Sequence, residues 1–145
     1  MAKYSKADIG LIQLRAAIQL FNDKDFVSSL TLGAVAEEIF AGYLRIQSEE
    51  TNSPYFTAAE LDGSMFELFE NILGIRNYPS YRNRVRNELK HHGDESNKEI
   101  VGADFEQISR THICGAITNY SFWKGEMPHD KTVQAFCDKV GLRIG

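Results

Sequence analysis

The sequence predicts an all-α fold: an antiparallel four- to five-helix bundle with a short extra C-terminal helix. Three observations carry this expectation. Wherever the chain shows a hydrophobic period, apolar residues recur three and four apart, which gathers them on one face of a helix. No segment alternates apolar and polar residues as a half-buried strand would. The connections between periodic segments are short, as antiparallel neighbours in a bundle require. The chain has 145 residues, the size of one ordinary domain, so residues 1–145 are read as a single unit able to bury a core.

The first helix is expected from about Ser5 to Phe21. Tyr4, Ala7, Leu11, Leu14, Ile18 and Phe21 follow one stripe, and Ile9, Ile12 and Ala16 widen it. "NDKD" then turns, and Asp23 or Asp25 can cap the next helix. The second helix is expected from about Phe26 to Gln47. Phe26, Leu30, Ala34, Ala41 and Leu44 form one stripe, and Leu32, Val35, Ile39, Tyr43 and Ile46 form another. Apolar on two sides, it should be the central helix. Its small residues Gly33, Ala34, Ala36, Ala41 and Gly42 allow close approach by neighbours. "SEETNSP" reads as a polar loop closed by Pro54. A third helix is expected over about Ala58 to Leu73, and "GIRNYPS" connects it to a fourth, about Tyr81 to His92, stopped by Gly93. Tyr81, Val85 and Leu89 are its buried stripe. "GDESNKEIVGAD" is an acidic loop. The fifth helix is expected from about Phe105 to Trp123, and the last from about Asp130 to Val140, with Val133, Phe136 and Cys137 turned inward.

Composition narrows the function classes. Hydrophobic residues make up 43% and charged residues 25% of the chain, and the net charge is −4. These fractions are those of a globular protein rather than a disordered or membrane one. A protein that grips nucleic acid over its whole surface is usually basic, so that class is excluded, and a local basic patch is left open. Cys114 and Cys137 sit in apolar runs without a C-x-x-C pair, and read as reduced, buried thiols rather than a disulfide or a zinc site. No window has the length of a membrane span, and the N-terminus lacks the apolar run of a signal peptide. The expectation is a cytoplasmic protein with no membrane association.

The most unusual segment is the fourth helix. Arg76, Arg82, Arg84, Arg86 and Lys90 face one acid, Glu88, while His91 and His92 close the segment. A solvated basic face is the plain reading. A metal site built from His91, His92 and Asp94 is disfavoured, because adjacent histidines point to different sides of a helix and helical ligands favour i, i+4 spacing. Glu37, on a buried side of the second helix, needs a partner, for which Arg86 or Arg82 is the obvious choice. Either it positions the arginine or it forms a structural ion pair. His112 reads as a core or interface histidine, and His129 as a loop or cap residue. Trp123 with Tyr120 and Phe122 reads as core or interface before a base-stacking platform.

"RNELKH", Arg86 to His91, resembles the signature of the HEPN superfamily: an arginine, a polar residue directly after it, and a histidine after four to six intervening residues. Arg86, Asn87 and His91 match with four intervening residues, and His92 would match with five. The opening pair "AAIQLFNDKDFVSSLTLGAVAEEIFAGYL", with Ala36-Glu37 in its second helix, is also similar to the family's. The resemblance spans about residues 5 to 123; the last helix has no counterpart in it.

The resemblance implies a metal-independent endoribonuclease, or a non-catalytic relative that binds nucleotide, RNA or a partner protein. Catalytic members pair as homodimers, with the arginine and histidine of each copy facing a shared cleft. It implies that Arg86 binds phosphate, that His91 or His92 serves as acid or base, and that Asn87 and Glu37 support them, with Arg82 and Lys90 along the RNA. No cofactor or metal is called for. Such proteins act as toxins or defence effectors, often beside a small nucleotidyltransferase-like antitoxin. The chemistry suits these residue types. RNA carries its own 2′-OH nucleophile, a histidine titrates near neutrality, and an arginine keeps its charge and holds phosphate with paired donors. Five residues turn a helix through about 140°, so Arg86 and His91 converge only if the helix ends near His91 or the cleft wraps around it. A plain structural bundle, with Arg86 paired to Glu37, is the third reading.

Overall fold

The computed structural model describes residues 2–52, 84–89 and 103–143. Among them every regular element is a helix: α1 (Lys6–Asn22), α2 (Phe26–Thr51), α3 (residues 84–89), α4 (Phe105–Lys124) and α5 (Lys131–Val140). The all-α helical bundle is therefore established. The expected third helix and both ends of the expected fourth lie outside the described residues.

Side-chain caps set the helix starts. The Ser5 hydroxyl accepts from the Asp8 N–H at 3.0 Å while the Asp8 carboxylate accepts from the Ser5 N–H at 3.1 Å, a reciprocal capping box. Ser5 is thus the cap of α1, one residue outside it. Asp25, Asp104 and Asp130 cap α2, α4 and α5 through the N–H groups of Ser28, Gln107 and Val133. Left-handed residues end three helices: Asn52 (φ 50°) after α2, Gly125 (φ 73°) after α4 and Gly141 (φ 74°) after α5. The second helix runs four residues past its expected end. Nothing in Ser48–Thr51 breaks a helix; Asn52, which tolerates the left-handed region, is the first residue to stop it.

α2 packs most extensively against α4 and then against α1, and α5 lies on α1. The main core joins Leu14, Ile18 and Phe21 of α1, Phe40 of α2, Ile113, Ile117 and Tyr120 of α4, and Val133 and Phe136 of α5. A smaller cluster of Leu30, Val85 and Ile108, with Leu89 and Phe105 against it, ties α3 to α2 and α4. It fixes the turn that carries Arg86.

Two packing expectations are corrected. The buried face of α1 is Gly10, Leu14, Ala17, Ile18 and Phe21, whereas Tyr4, Ile9 and Ile12 are exposed. The expected stripe is too broad because Gly10, not an isoleucine, meets α2: a Cβ there would stand 2.8 Å from the Phe40 ring. The most enclosed helix is α4, not α2. Every residue from Thr111 to Ser121 of α4 is buried, although many are polar. Their hydroxyls return to their own helix, Ser109 to the Glu106 carbonyl, Thr111 to Ile108 and Ser121 to Ile117, at 2.8–2.9 Å. This is how most of a polar sequence enters a core with its hydroxyls satisfied; the Thr118 hydroxyl alone of these has no partner among the described residues. The second stripe of α2 stays near the surface, with Ile46 exposed and Val35, Ile39 and Tyr43 half-buried.

Candidate functional site

Two neighbouring glutamates of α2 lead to two different places. Successive residues on a helix are turned by about 100°, so Glu37 and Glu38 cannot share a partner on one neighbouring helix. Glu37 points between α2 and α4. Its carboxylate Oε2 lies 3.1 Å from Nδ1 of His112; His112 is wholly buried and Glu37 nearly so. Glu38 points toward α3, where its Oε1 takes Nη1 of Arg86 at 3.0 Å. The expected pairing of Glu37 with Arg86 is thus corrected: the arginine belongs to Glu38. Arg82, the other partner considered for Glu37, lies outside the described residues.

The seat of Glu37 is built by α4. His112, Gly115 and Asn119 stand three and four apart, on one face. His112 meets the carboxylate, and the Asn119 side-chain amide donates to the Glu37 backbone carbonyl at 3.1 Å. Gly115 leaves the space between them. A Cβ on Gly115 would collide with Oε2 and stand 2.7 Å from Cδ of Glu37. An ionised carboxylate only accepts, so Nδ1 then carries the proton toward Glu37. The pair and the amide bond lock α2 to α4 at mid-height of the bundle. His112 is a core histidine, as its position in α4 suggested. Glu37 is a buried structural partner to it.

Arg86 stands at the bundle edge. Val85 beside it is wholly buried and Leu89 packs on the same cluster, so the backbone of α3 is anchored while Arg86 is turned outward. The Arg86 side chain is 20% exposed and that of Glu38 is 49% exposed. The contact runs through one guanidinium nitrogen, and Nε is shielded with no hydrogen-bond partner among the described residues. Such a single-point pair is weaker than the forked geometry an arginine can offer a carboxylate or phosphate. At this exposure it is worth about 0–1 kcal/mol, so a phosphate can compete for the arginine. Asn87 comes next, on the exposed side of α3. His91, His92, Lys90 and Arg82 lie outside the described residues.

The remaining candidates are placed plainly. Cys114 and Cys137 are free and buried; burial first, and the nearby Cys137 second, push the Cys114 thiol up to about 12. His129 is exposed in the turn before α5, 3.3 Å from Glu126. The Trp123 ring stacks on Tyr43 at 4.4 Å, with the Lys124 ammonium 4.6 Å from its centre. Its backbone carbonyl accepts from Gln47 at 3.1 Å. It fastens α4 to α2 instead of offering a stacking surface. Among the described residues no three His, Cys, Asp or Glu side chains converge as metal ligands, and no helix is long and apolar enough to cross a membrane.

Glu38 stands with Glu37 as a candidate in the sequence, but its pairing with Arg86 and the roles of Gly115 and Asn119 were missed. A polar residue, a glycine and an amide on one stripe of an otherwise packed helix were the available signal for the Glu37 seat. Comparison with family models, curated proteins and solved structures finds no match to this chain.

Proposed function

We propose that the chain is a metal-independent endoribonuclease of HEPN type that acts as a homodimer in the cytoplasm, in the manner of a toxin or defence effector. RNA is the substrate, and a small nucleotidyltransferase-like protein is the proposed antitoxin. One observation carries the reading: α3 is anchored by Val85 and Leu89 while Arg86, at the start of the Arg-Asn-x3-His motif, reaches the surface through one displaceable contact with Glu38.

The proposed chemistry uses those groups. Arg86 holds the scissile phosphate and balances the charge that grows on it. The 2′-OH attacks phosphorus and gives its proton to a base. The P–O5′ bond breaks as an acid protonates the leaving oxygen, yielding a 2′,3′-cyclic phosphate and a 5′-OH. His91, or His92 in its place, supplies the acid or base, and Asn87 orients the phosphate or the imidazole. Arg82 and Lys90 lie along the RNA.

The commitment of Glu37 to His112 favours a second reading, since it withdraws the acid expected to support Arg86. In that reading the same fold holds RNA, a nucleotide or a partner protein without cutting. Incubation of the purified protein with structured RNA in EDTA tests the pair. Cleavage by wild type that is lost in either His91→Ala or His92→Ala supports the nuclease, and cleavage unchanged in both removes the histidines from the mechanism. Intact RNA, together with a thermal shift on adding RNA or nucleotide, supports the module.

A further inference from the structure

The second apolar stripe of α2 is only partly covered: Ile39 leans on the main core and Tyr43 on Trp123, and the outer side of the stripe faces a groove. Val35, Ile39, Gly42, Tyr43 and Ile46 line a groove of about 420 Å³ together with Glu38 and Lys6. Gly42 lies in the middle of the stripe, and a Cβ there would meet nothing within 4 Å. Ile46 at one end is 53% exposed. The two charges sit at different ends. Lys6 belongs to the Tyr43 end, because the next residue, Ala7, donates its N–H to the Tyr43 hydroxyl at 3.2 Å. Glu38 lies five residues nearer the start of α2.

That layout complements itself. Turning a second α2 antiparallel about an axis near residues 40 and 41 brings Val35 to the second copy's Ile46. Gly42 comes to its Ile39, and Glu38 to its Tyr43, beside its Lys6. Ile39 meets the open position at Gly42, Val35 and Ile46 make an apolar pair, and each carboxylate meets an ammonium. Such matching of one patch with itself is what a two-fold interface needs. We propose that this groove is where two copies of the chain meet, with Ile39 of each copy seated over Gly42 of the other and Lys6 of each facing Glu38 of the other. The pairing rests on the homodimer proposed above but not on RNA cleavage. Because Glu38 also holds Arg86, the two Glu38–Arg86 pairs would flank the axis, about 8 Å apart along the helices.

Sedimentation velocity over a concentration series, without RNA, reads the proposal. Wild type should be a dimer at high micromolar concentration. Gly42→Trp fills the groove from a position whose Cβ meets nothing within 4 Å, and its circular dichroism and melting should stay native. Its dimer dissociation constant should rise at least about 30-fold, the loss typical of a central anchor. Lys6→Glu should weaken the dimer, and Lys6→Glu with Glu38→Lys should recover part of the loss. A monomeric wild type overturns the inference and leaves the groove to a partner of different sequence. A Gly42→Trp protein that is folded and as dimeric as wild type overturns the face while sparing the homodimer. Neither result bears on RNA cleavage, which the EDTA assay reads separately.

Discussion

Replacing Gly115 by alanine puts the Glu37 seat under direct strain. The new methyl would stand 2.7 Å from Cδ of Glu37, well inside ordinary carbon contact. Glu37 has little room to retreat, since its carboxylate is bonded to His112 and its carbonyl to Asn119. If α2 and α4 separate slightly, the cost is that of overpacking, about 1–3 kcal/mol. If the carboxylate instead leaves His112, a buried polar pair is broken, at about 3–5 kcal/mol, so the helices should give first. Alanine also returns about 1 kcal/mol of helix propensity, which would blur a single comparison. Gly42→Ala removes that ambiguity, because it makes the same change in a helix where the methyl meets nothing. Urea melts with unchanged m-values, run over a concentration series to expose any contribution from pairing, should place Gly115→Ala below Gly42→Ala by about 1–3 kcal/mol. Equal stability of the two variants would refute the close seating of Glu37 on α4.

Three further outcomes are expected. His112→Ala and Glu37→Ala should each cost about 3–5 kcal/mol, and the double variant clearly less than the sum; additive losses in the double-mutant cycle would deny the coupling. For Asp130, burial alone would raise the carboxyl, yet the Val133 N–H, Arg15 and the Thr132 N–H outweigh it and hold it below the usual carboxylate range. A depressed acid stabilises the fold above its unfolded pKa of about 3.9. Asp130→Ala should therefore lose about 1 kcal/mol at neutral pH, and the charge-dependent part should vanish as pH falls below about 4; a constant difference down to pH 2 would contradict this. Cys114, with its thiol near 12, should resist iodoacetamide at pH 8 until the protein unfolds, and rapid native labelling read by mass spectrometry would show that its side chain is reached by solvent.

Much of the fold was legible because helix signals are local. Asp25 and Asp104 stand one residue before the helices they cap, and Gly125 and Gly141 supply left-handed ends. The apolar period found α2, α4 and α5 to within a few residues at each end. What period cannot show is which side of a two-sided helix is covered. Leu30 and Leu44 are wholly buried while Ile46 is exposed, yet the three are equally hydrophobic. Polar residues misled in the opposite direction. Polar types alone would place Thr111, Asn119 and Ser121 at the surface, but two hydroxyls bonded back to their own helix and an amide bonded to α2 let α4 enter the core. For the candidate site, Arg86 on an anchored helix was legible through the Val85–Leu89 spacing. Its partner was not, because choosing between Glu37 and Glu38 needs the relative rotation of α2 and α3, a tertiary quantity.

The affinity of Arg86→Ala for a short RNA whose 2′-hydroxyls are methylated tests the central claim most directly, since the substrate cannot be cut and only holding is read. Removing a charge-assisted contact of about 1.5–3 kcal/mol should weaken binding roughly 10- to 150-fold in fluorescence anisotropy at fixed salt, with Arg86→Lys falling between. An Arg86→Ala protein that remains folded and binds that RNA as tightly as wild type would contradict the assignment of Arg86 as the phosphate ligand.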